Sequence, residues 1–319
     1  MGSWEAAGRR AGFVPSVADD AQSWAIMRGR VSDRSTVILG TSRAQADIDP
    51  QAWADEVGSD APLSLAIAGG SVLPVLEDIS RMESFRGLVL VDFVPRIEFD
   101  ATRHREQITL EYLNVYEDVR RSPGRFAEAH LRWAGPGLLV SKNASLSPRR
   151  VLGSLAAVIA GDRPLGQALP SPPYFFIRQD RYMSLDFSRV DVSERIDAII
   201  GQITVEGRPA VGGEVIEVLQ RVTRSVRRIE ERGGRVVLLH LPHANAVRAL
   251  EERQYPRDRY WARLEALPVG EKFYTGDLPS LGGFDCPDGS HLDTRDSAAF
   301  TRALARAVTD SGPRGRTSS

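Results

Sequence analysis

The sequence predicts a three-layer α/β domain: a parallel sheet with helices on both faces, carrying a helical insertion. Three observations predict it. Short apolar runs at residues 36–39, 63–68, 87–91 and 235–241 stop abruptly at a glycine, a proline or an aspartate, as buried strands do. Helical stretches separate the first three runs, and strand, helix, strand, helix, strand is the order of a parallel sheet. With 319 residues, 42% of them hydrophobic, and no internal repeat, the chain has material for one sizeable core. The division that follows is a helical approach segment at 1–34, an α/β domain at 35–310 and a disordered tail at 311–319. The insertion spans about 102–165.

In the approach segment Trp24, Ile26 and Met27 are the packing residues, with Arg28, Arg30 and Arg34 in solvent. The first strand, at 36–39, closes on Gly40. A loop or short helix follows at 45–50, then a helical turn at 50–57 that starts on a proline. The second strand ends in Gly69-Gly70-Ser71, and the helix beginning at Val72 points its amino end at the same mouth as the end of the first strand. The third strand stops at Asp92-Phe93-Val94-Pro95. Three helices, near 108–119, 123–133 and 148–159, make up the insertion, a lid or wall over the site. Pro170-Ser-Pro-Pro173 leads into a small hairpin at 174–187.

Val215, Val218, Leu219, Val222, Val226 and Ile229 recur at helical spacing, stopped by Gly233-Gly234, with Arg221, Arg224, Arg227 and Arg228 on a solvated face. A strand at 235–241, a helix near 257–267, a short strand at 273–274 and a closing helix at 294–308 complete the order. The closing helix presents Phe300, Ala303, Leu304 and Ala307 on one face.

The totals exclude some functions. A formal charge of -1 leaves no global basic field for nucleic acid or an anionic membrane. The single cysteine, Cys286, rules out an internal disulfide and a multi-cysteine metal site, and is read as a small buried residue beside Pro287. His240 and His243 flank Pro242 at a strand end, where they could contact substrate. No carboxylate or cysteine stands at metal-ligand spacing from them, so no metal is expected. No apolar run is long enough to span a membrane, the best being 151–160. The opening Met-Gly-Ser is consistent with a cloning scar; localisation stays open from this terminus, with an extracytoplasmic or membrane-tethered protein expected if a native leader or anchor was removed upstream.

The chemistry lies at two ends of the chain. Gly40-Thr-Ser-Arg43 puts the Ser42 hydroxyl at the carboxyl end of a buried strand, where open α/β sheets bind ligands. A serine there is a nucleophile only if a base takes its proton and N–H groups receive the oxyanion. Asp285-Cys-Pro-Asp-Gly-Ser-His-Leu-Asp293 supplies such a base: Asp288 and His291 lie three residues apart around a Gly-Ser turn, so the carboxylate can orient the imidazole. Arg43 either steers an anionic group or pairs with Asp92.

An early Gly-x-Ser and a late Asp-x-x-His resemble the SGNH (GDSL-like) hydrolase superfamily, over most of the chain. Gly40-Thr-Ser-Arg43 is similar to the Gly-Ser-Ser-Arg variant of bacterial members linked to cell-surface polymer modification. The segment from Leu241 to Arg248 and on to Trp261 also resembles a stretch of uncharacterised bacterial SGNH-like proteins. The resemblance implies a flavodoxin-like sheet, a triad of Ser42, His291 and Asp288, and an oxyanion hole made with Gly69 or Gly70. It implies a carboxylic ester hydrolase or O-acyltransferase that needs no cofactor and acts on an acyl ester or O-acylated glycan. The alternative it carries is a non-catalytic acyl-sugar binder or partner of a membrane O-acyltransferase.

The third block departs from the family pattern. Asp92-Phe93 stands where the resemblance implies an asparagine donor. Three explanations stay open: Asp92 is protonated or binds something else, Arg96 or Asn245 supplies the donor, or the site hydrolyses esters inefficiently.

Overall fold

The computed structural model describes residues 2–140, 143, 146–162, 170, 172–205 and 207–312. In chain order its elements begin with helices α1 (Gly2–Arg10) and α2 (Ala21–Gly29), then strand β1 (Thr36–Leu39), α3 (Ser42–Asp47) and α4 (Pro50–Val57). Next come β2 (Leu63–Ser64), α5 (Leu73–Arg81), β3 (Leu88–Asp92), α6 (Pro95–Glu98), α7 (His104–Arg121), α8 (Pro123–Leu138) and α9 (Pro148–Ile159). A hairpin of β4 (Phe175–Ile177) and β5 (Met183–Leu185) precedes α10 (Val192–Val205) and α11 (Gly213–Glu230). The chain closes with β6 (Arg235–His240), α12 (Asn245–Gln254), α13 (Trp261–Glu265), β7 (Glu271–Tyr274) and α14 (Thr294–Ser311).

Five strands form one sheet in the order β2-β1-β3-β6-β7, and every neighbouring pair is parallel. Leaving out the separate hairpin, this is the 2-1-3-4-5 order of a doubly wound sheet, with its switch point between β1 and β3. Side chains alternate across each strand. Val37, Leu39, Val89, Val91, Val236 and Leu238 enter one core, under α2, α5 and α11. Ile38, Leu90, Val237 and Leu239 enter the other, with Trp53 of α4 and Phe300, Leu304 and Val308 of α14. Both faces are therefore covered, and the strands read as continuous apolar runs for that reason.

β2 is shorter than its apolar run, because pairing beyond Ser64 continues only as spaced bonds: Leu65 N–H to Ile38 O at 2.8 Å and Ile67 N–H to Gly40 O at 2.9 Å. Its outer edge is covered. Arg181, fully buried, donates to the carbonyls of Ser64 and Ala66 at 3.2 and 2.8 Å, which removes a free strand edge.

Several expectations are corrected. Arg28 is buried, donating to Asp78 at 2.6 Å, where the sequence reading put it in solvent. Arg221 leaves its solvated face to bridge Glu77 and Glu106 at 2.7 and 2.8 Å. The buried stripe of α14 is Ser297, Phe300, Thr301, Leu304, Ala305 and Val308, rotated from the expected face. α10, α12 and the short α6 have no counterpart in the sequence reading. α7 and α8 pack on α2 through Ala25, Ile26, Val119 and Ala129, so they thicken one layer. At the sheet mouth α7 contributes Arg105, which donates to Gly69 O at 3.1 Å, and Thr109, which donates to Ser71 O at 2.8 Å. The predicted tail falls almost wholly outside the described residues.

Candidate active site

The end of β1 turns directly into α3. Gly40 makes this possible: a Cβ there would lie 2.4 Å from the Ala44 Cβ and 2.9 Å from the Asp92 Cβ. Thr41 caps the helix, its Oγ1 accepting from the Arg43 N–H at 3.2 Å. Ser42 is thus the first helical residue, partly exposed, its hydroxyl at the carboxyl end of the sheet.

Ser42 Oγ lies 2.9 Å from His291 Nε2, and His291 Nδ1 lies 2.9 Å from Asp288 Oδ2. An ionised Asp288 accepts the Nδ1 proton, which fixes the tautomer that leaves Nε2 to accept the Ser42 hydroxyl proton. The other oxygen of Asp288, Oδ1, accepts the N–H groups of Ser290 and His291 at 2.9 and 2.8 Å. Burial works against ionisation of Asp288, but the His291 ring and these two N–H groups outweigh it and hold the carboxyl below its usual range. The three residues named from sequence therefore meet, across a separation of 249 positions.

The loop bearing His291 is gripped by α3. Arg43 Nε donates to Ser290 Oγ at 3.1 Å, and Asp47 Oδ1 accepts the Leu292 N–H at 2.9 Å. Arg43 and Asp47 are one turn apart, so the helix that starts on Ser42 holds the chain on both sides of His291. Arg43 Nη2 also donates to Glu251 of α12 at 2.5 Å, and Glu251 takes a second bond from Arg96 Nε at 2.6 Å. Burial disfavours the Glu251 charge, yet the two arginines more than compensate and bring its pKa down to about 2. Arg43 thus pairs with Glu251 in place of Asp92, and Arg96 is committed to the same carboxylate.

Asp92 is buried beneath Gly40, with Oδ1 3.5 Å from the Leu241 N–H and Oδ2 unpartnered among the described residues. Burial raises its pKa to about 6, against the pull of Arg43. Its side chain packs behind the serine turn as a structural group.

The second-block glycines separate on their N–H groups. The Gly70 N–H donates to Ile67 O at 2.9 Å and is occupied. The Gly69 N–H has no such bond among the described residues, and Gly69 sits at φ +70, where an L side chain is strained. The Ser42 N–H, at the first position of α3, has no intrahelical acceptor either. The register Val37↔Leu63 and Ile38↔Ser64, continued by the Ile67 N–H on Gly40 O, brings the chain just after residue 67 and the Thr41-Ser42 turn to the same edge of the sheet. The amino end of α5 is not available there. Glu98 caps it, accepting from Ser71 Oγ at 2.6 Å and the Val72 N–H at 2.9 Å. Burial lifts the Glu98 pKa to about 8. Arg105, at the start of α7, donates to Gly69 O at 3.1 Å and backs the same turn.

The β6 end adjoins the Arg43–Glu251–Arg96 network, His240 and His243 lining one recess with Arg96 and Glu251. His240 is buried and stacked on Tyr274, with ring centroids 4.4 Å apart. His243 lines a cavity of about 160 Å³ with Arg248, Glu252, Arg257 and Tyr274. Burial, aided by Arg43, lowers the His243 pKa to about 4, so it is neutral at pH 7. Asn245 is exposed at φ 52, and the neighbouring Ala244 N–H donates to Gly289 O at 3.0 Å, beside the His291 loop. Cys286 is buried, and burial pushes its thiol up, so it is inert. Glu251, Asp47, Ser290 and Glu98 are the residues that the sequence reading missed. Asp47 alone had a signal, its i+4 spacing from Arg43.

Among the described residues no helix is long and apolar enough to cross a membrane. No family model and no curated protein matches the chain.

Proposed function

We propose that this chain is a serine esterase or O-acyltransferase of the SGNH type, acting on acyl esters of a glycan or cell-surface polymer. One observation carries the reading: a partly exposed serine hydroxyl 2.9 Å from an imidazole whose other nitrogen is 2.9 Å from a buried carboxylate. His291 takes the Ser42 proton as Oγ attacks the acyl carbonyl carbon, and Asp288 stabilises the imidazolium that forms. The oxyanion is received by the N–H groups of Ser42 and Gly69. Collapse expels the alcohol, which takes the proton from His291 and leaves an acyl-serine. Water or a sugar hydroxyl, deprotonated by His291, then attacks that ester and frees Ser42. The glycan substrate rests on the sequence resemblance.

A second reading, a non-catalytic binder of acyl sugars or partner of a membrane O-acyltransferase, is favoured by one feature. The resemblance implies an asparagine donor at position 92, and Asp92, packed under Gly40, offers no N–H in its place.

Intact-mass measurement after exposure to a fluorophosphonate separates the two. One adduct is expected, absent in Ser42→Ala and slowed about 10³-fold or more in His291→Ala. An unlabelled wild-type chain, under conditions that modify a known serine esterase, would favour the binding reading.

A further inference from the structure

α8 and α9 each carry exposed apolar side chains that the catalytic reading leaves unused. α9 reads Pro-Arg-Arg-Val-Leu-Gly-Ser-Leu-Ala-Ala-Val-Ile, yet among its described side chains only Val151 and Ser154 are buried. Leu152, Leu155 and Ile159 are 65%, 38% and 87% exposed. At 3.6 residues per turn these three and the exposed Ala156 fall within about 100° of arc, so the apolar residues share a face. A helix this short is marginal in water without packing of its apolar side, and here that side is open. On α8, Leu131 and Leu138, seven residues apart, are 77% and 65% exposed. Seven of the thirteen large hydrophobic residues exposed among the described residues lie in 123–159.

The same stretch is basic. In sequence it carries Arg125, Arg132, Lys142, Arg149 and Arg150 against Glu128. Arg125 is held by Asp118 at 2.9 Å and Arg132 by Glu128 at 3.8 Å, and Lys142 lies outside the described residues, so the positive charge at α9 rests on Arg149 and Arg150. Arg149 and Arg150 are exposed at the amino end of α9, and Arg149 borders the open apolar face. Aliphatic residues on one side of a helix with arginines at its rim match the interfacial zone of a lipid bilayer, where the chains take the apolar face and anionic headgroups take the arginines.

We propose that α8 and α9 dock the protein on a membrane surface containing anionic lipid. α9 lies in the headgroup plane with Leu152, Leu155 and Ile159 toward the acyl chains. Flotation of the whole chain with phosphatidylcholine vesicles, with and without phosphatidylglycerol, tests this. The protein should float with the anionic vesicles and be released by salt, because the arginine contribution is screened. Arg149→Ser with Arg150→Ser should weaken binding about fivefold for each arginine removed. Leu152→Asp with Ile159→Asp, at positions too exposed to disturb the core, should abolish it. Failure of the wild-type chain to float with anionic vesicles would overturn the proposal. So would undiminished flotation of the aspartate variant, or a wild-type dimer in solution that this variant converts to monomer, which would assign the face to a second copy.

Discussion

Asp92 shows how burial decides what a residue type can do. By position it stands where the SGNH resemblance implies an asparagine donor, but its carboxyl is packed under Gly40 beside the buried charge of Arg43. Asp92→Asn, the family's residue, should therefore leave the rate of Ser42 acylation within about threefold of wild type. Its effect belongs to stability. The folded pKa of about 6 lies above the ordinary carboxylate value, so the wild-type contribution is present below the unfolded pKa and is lost as pH rises through about 6. Denaturation at about pH 5 and about pH 8 should show the difference shifting in favour of the asparagine variant at the higher pH. A large gain in acylation rate would instead mean that residue 92 reaches the oxyanion.

α3 is the element on which the candidate site is assembled. It starts on Ser42, and its Arg43 and Asp47 hold residues 290 and 292, so the distance from nucleophile to base is set by six residues of helix. Arg43→Met would release Ser290 and leave the Glu251 carboxylate to Arg96 alone. Breaking a buried pair from one side costs about 3–5 kcal/mol, which chemical denaturation would register. Asp47→Asn keeps an acceptor for the Leu292 N–H, and because burial raises the Asp47 pKa well above its ordinary value, the substitution should change stability little at low pH and favour the variant as pH rises. If the grip positions His291, the methionine variant loses fluorophosphonate reactivity even where it is fully folded, and the asparagine variant keeps it. Periodicity exposed α11 in the sequence, because its buried residues are mostly apolar and recur each turn, and a starting proline marked α4. Periodicity did not expose α12, which buries Glu251 beside only Val247 and Leu250.

Across the whole molecule, buried carboxyls among the described residues shift in both directions, with Asp47 raised alongside Asp92 and Glu98. Asp288 and Glu251 are held low by their partners, so their stabilisation exists above the unfolded pKa and disappears only as pH falls through the folded values. Asp92 and Glu98 are raised, to about 6 and about 8, so theirs is lost as pH rises through those values. The denaturation midpoint should accordingly fall between about pH 5 and about pH 9, and Glu98→Gln should remove the upper part of that fall. A flat profile in the wild-type chain would mean that Glu98 is ionised in its cap.

The linear chain by itself determined the parallel α/β class, the hairpin, most helices and the Asp288–His291 pair, because these depend on local periodicity, turn chemistry and short spacing. Ser42 joined that pair through the place of both segments in the α/β order and the SGNH resemblance. Only the tertiary structure decided which N–H groups are free, that Arg43 belongs to Glu251, and that Glu98 closes the amino end of α5. Arg43 and Glu251 lie 208 positions apart. Partners at that separation leave no periodic trace, since the choice among buried charges depends on which side chains the sheet order brings to one mouth, and on how far each is removed from water.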